Sequence, residues 1–283
     1  MIRALDGHTG RKREGGGALS PPSSKHFPGT PENQDTASRT ECLRPREAPF
    51  MQPVTRASPG SLRAAPRPAA SLPTRDAFEV TAQRPQTSQD RDRYFSGFKQ
   101  GGTGNCVSVA AIKAAMAKFG PDQVFKSVKR SGQGYDVTMR DGVKVRVSDA
   151  ELATAGRLSR ISGRDPKLVR DAVLMYAAMA NRAQLEGNDG RKNMSFERAC
   201  QSLNDGESYR EGPRWLGLQK HVRKIDPNDI HRYTAVVGAS SRHAVFASDG
   251  FVDHYGKKRP STTRGGLEIE GYGRPLRGAY ALV

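Results

Sequence analysis

This chain of 283 residues has little of what defines several common protein classes. Its three cysteines, Cys42, Cys106 and Cys200, are widely spaced and form no Cys-x-x-Cys pair. That spacing excludes a dense disulfide framework and provides no pattern for a structural zinc site. No run of 18 apolar residues occurs, so the sequence predicts no membrane-spanning helix. The first residues also lack the apolar core of a secretory signal peptide.

Aromatic residues make up only 7% of the chain, whereas its formal net charge is +17. A strongly basic protein can approach nucleic acid, an anionic membrane or an acidic partner. However, no long run of Lys and Arg is present, none is interleaved with aromatic residues, and no RNP-type or zinc-finger spacing appears. We therefore interpret the charge as a solvated surface and do not expect nucleic acid to be the main partner.

The first 90 residues differ in composition from the rest of the chain. They contain 12 of the 18 prolines, many Ser, Thr and Arg residues, and only three aromatic residues. Such a segment cannot bury enough apolar surface to offset the entropy lost on ordering its backbone. We predict a disordered Pro/Ser/Arg-rich leader over residues 1–93 and one folded domain over residues 94–283. The leader is compatible with delivery into a host cell by a non-Sec route, and the alternative localisation is the cytoplasm.

The most informative segment is Gln-Gly-Gly-Thr-Gly-Asn-Cys, which starts at Gln100, ends at Cys106 and leads directly into an alanine-rich run. The apolar pattern predicts a helix from Cys106 to Phe119, ended by Gly120. A thiol in the first turn lies near unsatisfied backbone N–H groups and the positive end of the helix dipole, which favour the thiolate. We therefore predict that Cys106 is a nucleophile and that the Gln100 amide binds the oxyanion formed beside the sulfur.

The remaining pattern predicts helices followed by antiparallel strands, which is an α+β arrangement. Alternating runs on either side of Asp141-Gly142 predict a β-hairpin. Cys200 lies on an apolar helical face, where we expect an inert core thiol. The other predicted helices are Asp122–Val128, Asp165 to Ala180, and Ser195 to Gly206. The other predicted strands are Tyr233–Val237, His243–Ala247, Phe251–Tyr255 and Gly278–Val283.

A cysteine nucleophile requires a general base. Among the six histidines, His243 begins an apolar strand whose packing can hold its ring rigidly. It lies 137 residues after Cys106, and the base of papain-type enzymes lies about 130–150 residues downstream of the cysteine. His243 is therefore the predicted base.

The third catalytic group depends on the hairpin that follows the base. A three-residue loop at residues 248–250 would pair Ala247 with Phe251 and place Asp253 on the same face as the base. A two-residue loop would reverse the faces and present His254 instead. We predict Asp253 as the orienting residue and keep His254 as the reserve candidate.

Together these residues resemble a papain-like cysteine peptidase of the calpain type, over roughly residues 94–283. Gln100 and Cys106 match the oxyanion glutamine and nucleophile of that family in identity and spacing, and His243 matches its base. The sequence Asp-His-Tyr-Gly resembles the family's Asn-Ser-Trp-Gly or Asn-Pro-Trp-Gly, with Asp253 replacing the orienting Asn and Tyr255 replacing the shielding Trp. The resemblance implies a papain-like fold, in which the cysteine helix packs on an antiparallel sheet.

The chain also departs from that family. Val107 stands where the family usually has Trp, and an Asp third member is common only in distant branches, several of them secreted bacterial effectors. No acidic calcium-binding loop is apparent, so the resemblance implies no calcium control. It implies a cysteine endopeptidase acting on protein or peptide substrates without a cofactor or metal. Two alternatives stay open: a papain-like deamidase or acyltransferase, and a basic binding protein, for a host partner or nucleic acid, with an inert thiol.

Overall fold

The computed structural model describes residues 85–261 and 275–283 of the chain. Its α-helices are α1 (Ser88–Ser96), α2 (Cys106–Phe119), α3 (Asp149–Ser159), α4 (Pro166–Glu186), α5 (Phe196–Ser202) and α6 (Glu211–Trp215). Its strands are β1 (Ser127–Arg130), β2 (Gly134–Thr138), β3 (Lys144–Ser148), β4 (Val222–Ile225), β5 (Val236–Ala239), β6 (Ala244–Ser248), β7 (Phe251–His254), β8 (Lys257–Pro260) and β9 (Gly278–Leu282). Short 3₁₀ helices occupy Pro121–Gln123, Gln219–His221 and Pro227–Arg232.

Within these residues the strands form two antiparallel sheets. Strands β1, β2 and β3 form the smaller sheet in chain order, and the larger sheet has the order β4-β9-β5-β6-β7-β8. The C-terminal strand β9 is therefore inserted between β4 and β5, where both neighbours are antiparallel to it. The predicted α+β arrangement of helices and antiparallel sheets is confirmed.

Helix α2 is the central element of the main core. Its sequence is apolar around nearly the whole circumference, and every residue of the helix except Lys118 is buried. It packs against strand β6 of the larger sheet. Phe246 and Ala244 of that strand join the core around α2, whereas Val245 and Ala247 join a second apolar cluster. Because side chains alternate along a strand, the two clusters lie on opposite faces of the sheet.

The start of the described region differs from the predicted domain boundary. Residues 1–84 of the predicted leader lie outside the described residues. Helix α1 begins at Ser88 and crosses the predicted boundary at residue 94, with Tyr94 and Phe95 buried. Thr87 accepts a hydrogen bond from the Asp90 backbone N–H, and the Asp90 carboxylate accepts one from the Thr87 N–H. This capping box fixes the start of the helix.

Several elements follow the sequence pattern, and one does not. The helix starting at Cys106 and the hairpin of β2 and β3 are confirmed. The helices opened by Asp165 and Ser195 are also confirmed, and in both the predicted residue caps the first turn. The predicted helix Asp122–Val128 is wrong, because Val128 belongs to strand β1 and pairs with Val137 of β2. Tertiary strand pairing therefore overrides the local helical pattern there.

The hairpin of β6 and β7 has a different register from the predicted one. Ser248 pairs with Phe251 and Ala247 with Val252, so the loop contains two residues rather than three. Both loop residues have positive φ, 53° at Asp249 and 80° at Gly250, as expected for a tight two-residue hairpin turn. The predicted pairing of Ala247 with Phe251 is therefore wrong.

The predicted consequence of a two-residue loop is also wrong. Extending the observed register by one pair places Asp253 opposite Phe246, whose side chain lies in the core beside α2. The two-residue loop itself therefore places Asp253 on the inner face of the sheet, because a three-residue loop would have placed it opposite Val245 of the second cluster. The prediction placed His243 within the strand, but β6 begins at Ala244, so strand alternation does not determine the side on which its ring lies.

Candidate functional site

The loop before α2 is anchored to the segment that follows α3. Lys99 and Ser162 exchange two backbone hydrogen bonds, at 2.8 and 3.2 Å. The Asn105 side-chain amide donates to the Ser159 carbonyl oxygen at 2.9 Å, although Asn105 occupies the N-cap position. Among the described residues no side chain caps α2, so the backbone N–H groups of its first turn are not satisfied by a capping side chain.

Two glycines of this loop are required by close backbone contacts. A Cβ atom added at Gly104 would lie 2.2 Å from the Asn204 carbonyl oxygen. A Cβ atom added at Gly101 would lie 2.5 Å from the Arg160 carbonyl oxygen. Neither distance is sterically possible, so the Gly-rich pattern fits the loop between two neighbouring segments and thereby fixes the entry to α2.

Gln100 is held at the edge of the same loop. Its side-chain amide nitrogen donates to the Thr103 carbonyl oxygen at 2.7 Å. A primary amide has two N–H donors, so this bond fixes the orientation of the group and uses one of them. An oxyanion formed beside the Gln100 side chain would require the second N–H of this amide.

His243 is placed by the turn that leads into β6. Its backbone N–H donates to the Ser240 hydroxyl at 3.1 Å, and the Ser240 N–H donates to the His243 carbonyl at 2.9 Å. The ring is buried and stacks on the Tyr255 ring, with centroids 4.9 Å apart and planes inclined by 17°. Tyr255 and Gly256 have positive φ and form the turn between β7 and β8, which positions the phenol over the imidazole.

The environment of His243 favours the neutral imidazole. Burial, together with a smaller effect of the nearby His254, lowers the pKa of His243 to about 4. At neutral pH the ring is therefore uncharged and able to accept a proton.

Asp253 is also buried, at 9% exposure, and its carboxylate is held at both oxygens. Oδ2 lies 2.7 Å from the Lys113 ammonium, and Oδ1 accepts a hydrogen bond from the Gly256 N–H at 2.7 Å. Burial raises the pKa of Asp253, while the Lys113 charge opposes this effect. Lys113 is not among the site residues predicted from the sequence. Its signal was present, because it is the one charged residue of an otherwise apolar helix before Lys118.

The four predicted site residues, Gln100, Cys106, His243 and Asp253, line one pocket. The Ala244 N–H donates to the Cys106 sulfur at 3.4 Å, which brings the sulfur to the start of the strand that follows the predicted base. The residues lining this pocket do not include the reserve candidate His254.

Cys106 is disulfide-bonded in this structure. The nucleophile that we predict is the reduced form, so any assay of this site requires a reductant. Cys200 is a free cysteine in the core, as predicted, and burial raises the pKa of its thiol to about 12.

Two other described histidines do not line this pocket. His221 contacts the Val283 carbonyl, and His231 contacts the Asn228 carbonyl, both at partly exposed positions. Among the described residues no group of three or more His, Cys, Asp or Glu side chains is arranged to hold a metal ion. Nor does that part of the chain contain a helix with the length and apolar character needed to cross a membrane.

Comparison with protein-family models, with curated proteins and with solved structures finds no match to this chain.

Proposed function

We propose that this protein is a thiol hydrolase of papain-like fold, specifically a cysteine endopeptidase. Cys106 is the nucleophile, His243 the general base and Asp253 the residue that orients the base, while Gln100 donates to the oxyanion. The observation that carries the proposal is that these four residues, chosen from the sequence, line a single pocket. The packing of the cysteine helix on an antiparallel sheet supports the papain-like fold.

In the proposed reaction the neutral His243 imidazole takes the proton of the reduced Cys106 thiol. The sulfur then forms a bond to the carbonyl carbon of a peptide, and the oxyanion is stabilised by the Gln100 amide and the Cys106 backbone N–H. The imidazolium returns the proton to the leaving amine as the carbon–nitrogen bond breaks. Water hydrolyses the thioester and regenerates the thiol. The Tyr255 ring limits the contact of His243 with solvent throughout.

The test is an activity assay on the reduced full-length protein. The protein is incubated with denatured casein and with a mixed peptide library, and mass spectrometry identifies new termini. We expect cleavage by the wild type, and a loss of at least about 1,000-fold for Cys106→Ala and for His243→Ala. His231→Ala is the matched control and should retain activity, because this partly exposed histidine does not line the pocket.

The same spectra separate the alternatives. Conversion of Gln to Glu without new termini would replace the endopeptidase proposal by a deamidase with the same triad. Full activity of Cys106→Ala would contradict a thiol mechanism of any kind. If no activity is found and the protein binds nucleic acid with strong salt dependence, unchanged in Cys106→Ala, the basic binding protein is the better description.

A further inference from the structure

Lys113 is a fully buried lysine whose ammonium group is held by three neighbours. Its Nζ lies 2.7 Å from Asp253 Oδ2 and donates to the Phe95 carbonyl oxygen at 2.9 Å. It also lies 4.8 Å from the centroid of the Phe98 ring. The side chain has 0% exposure, so these contacts replace water around the charge.

Such an arrangement is uncommon because a buried charge loses its hydration. Burial lowers the pKa of Lys113 and raises that of Asp253, and each partner opposes the effect on the other. A buried ion pair is weak evidence for stability, since apolar residues of similar volume often serve as well. The position of the pair therefore requires an explanation other than stability.

Helix geometry relates this pair to the proposed nucleophile. Lys113 follows Cys106 by seven residues on α2, which is about two turns and about 10 Å along the axis, so both residues lie on similar faces of the helix. The face is the one that meets the sheet, because Cys106 contacts the Ala244 N–H and Lys113 contacts Asp253. One helix thus holds the sulfur and fixes the carboxylate.

We infer that Lys113 is a positioning residue, which holds the Asp253 carboxylate ionised and fixed beside the pocket so that it can orient His243. This inference rests on the proposed function. Lys113 itself lies outside the residues that line the pocket, so it acts through Asp253 rather than on a substrate.

Other charged and titratable groups also surround Asp253. His254 is its neighbour on β7 and favours the ionised carboxylate. Lys258 of β8 pairs with Asp253 of β7, but the Lys258 ammonium is partly exposed and forms an ion pair with Asp92. Lys113 is the fully buried cation among these groups, so its replacement should change the charge of Asp253 most.

The neighbouring pocket contains further titratable groups. His243 and Cys106 line it together with Asp253, and the Tyr255 phenol stacks on the His243 ring. In the proposed triad an ionised Asp253 favours a protonated His243, and a protonated His243 favours the thiolate form of Cys106.

The experiment measures the rate of Cys106 alkylation by iodoacetamide between pH 4.5 and 9, in reduced full-length protein, with the modified residue mapped by mass spectrometry. Lys113→Met should raise the apparent pKa of the Cys106 thiol by about one unit, which makes alkylation about tenfold slower on the acid side. Asp253→Asn should shift the profile in the same direction. Lys118→Met, an exposed change on the same helix, is the control and should leave the profile unchanged.

The double variant Lys113→Met with Asp253→Asn distinguishes action through the carboxylate from a direct charge effect. Its profile should coincide with that of Asp253→Asn alone, because Lys113 has no carboxylate left to hold. A shift equal to the sum of the two single shifts would overturn the inference. The double variant also removes both buried charges, so it provides the comparison even if Lys113→Met alone does not fold.

The wild-type profile separates this inference from the proposed function. An apparent pKa near the ordinary value of about 8.5 would refute the thiol hydrolase, and the role of Lys113 with it. A depressed wild-type pKa that does not change in Lys113→Met would refute only the role of Lys113.

Discussion

The burial of His243 predicts a specific dependence of stability on pH. The cleanest comparison uses the Cys106→Ala protein, which has neither a disulfide nor a thiolate beside the ring. In that background we compare His243 with His243→Gln, which has a polar side chain that does not titrate. Because the pKa of His243 is lowered in the folded protein, the unfolded chain binds more protons in acid. The stability associated with the neutral ring is therefore present above pH 6.5 and is lost as the pH falls towards 4.

The magnitude follows from the two pKa values. The folded value is about 4 and an unperturbed histidine has a pKa of about 6.5, so the difference of about 2.5 units corresponds to about 3 kcal/mol. The ring is 5% exposed, so solvent screening does not reduce this figure greatly. Most of the change should occur between pH 6.5 and pH 4.

The assay is urea unfolding of both proteins at intervals of half a pH unit from 4 to 8. The difference in the free energy of unfolding between the two proteins should change by about 3 kcal/mol across that window, with the histidine protein losing more stability in acid. Carboxylates titrate in the same range but are common to both proteins and cancel. A difference that is constant with pH would refute the conclusion that this ring is buried and neutral.

Three further predictions concern the surroundings of the site. Glu207 is buried, and its pKa is raised by burial and by the nearby Glu211. Glu207→Gln should therefore increase the free energy of unfolding at pH 8 by about 1–3 kcal/mol and leave it unchanged below pH 4.5. Thermal unfolding measures this difference. Gly104→Ala should reduce peptidase activity by about 100-fold because its Cβ atom displaces the loop, whereas Gly102→Ala, where the nearest atom is 3.8 Å away, should not. Tyr255→Ala should admit water to the base and raise the pKa of its ring towards 6.5, as measured by NMR titration.

The sequence predicted the site best where the signal was local. The Gly-rich loop, the apolar run after Cys106 and the capping residue Asp165 each determine an element within a few residues, and each of these elements is present. The same loop carries both Gln100 and Cys106, which line one pocket. The local structure at the start of α2 can therefore be predicted without any knowledge of the tertiary structure.

The sequence predicted less well where the result depends on pairing between distant segments. Strand β1 forms because Val128 pairs with Val137, which no local pattern indicates. Helix α3 was not predicted, although Ser148 and Glu151 form a capping box at its start. The predicted hairpin register is wrong because the Asp-Gly pair alone forms the turn, leaving Ser248 in the strand.

Lys113 shows that the sequence alone does not identify the partner of a buried charge. Its contact with Asp253 joins residues that are 140 positions apart. A lysine in an apolar helix indicates that some buried anion must accompany it, but the sequence does not specify which carboxylate. Only the packing of α2 on the sheet identifies the partner.

The measurement that tests the central claim most directly is an NMR titration of the His243 ring in the reduced wild type and in Cys106→Ala. If sulfur and imidazole form the proposed pair, the thiolate should raise the pKa of the ring by about 1–3 units in the wild type. In Cys106→Ala burial and the nearby His254 should keep the pKa near 4. The same pKa in both proteins would show that the thiol and the ring do not interact, and would contradict the proposed mechanism.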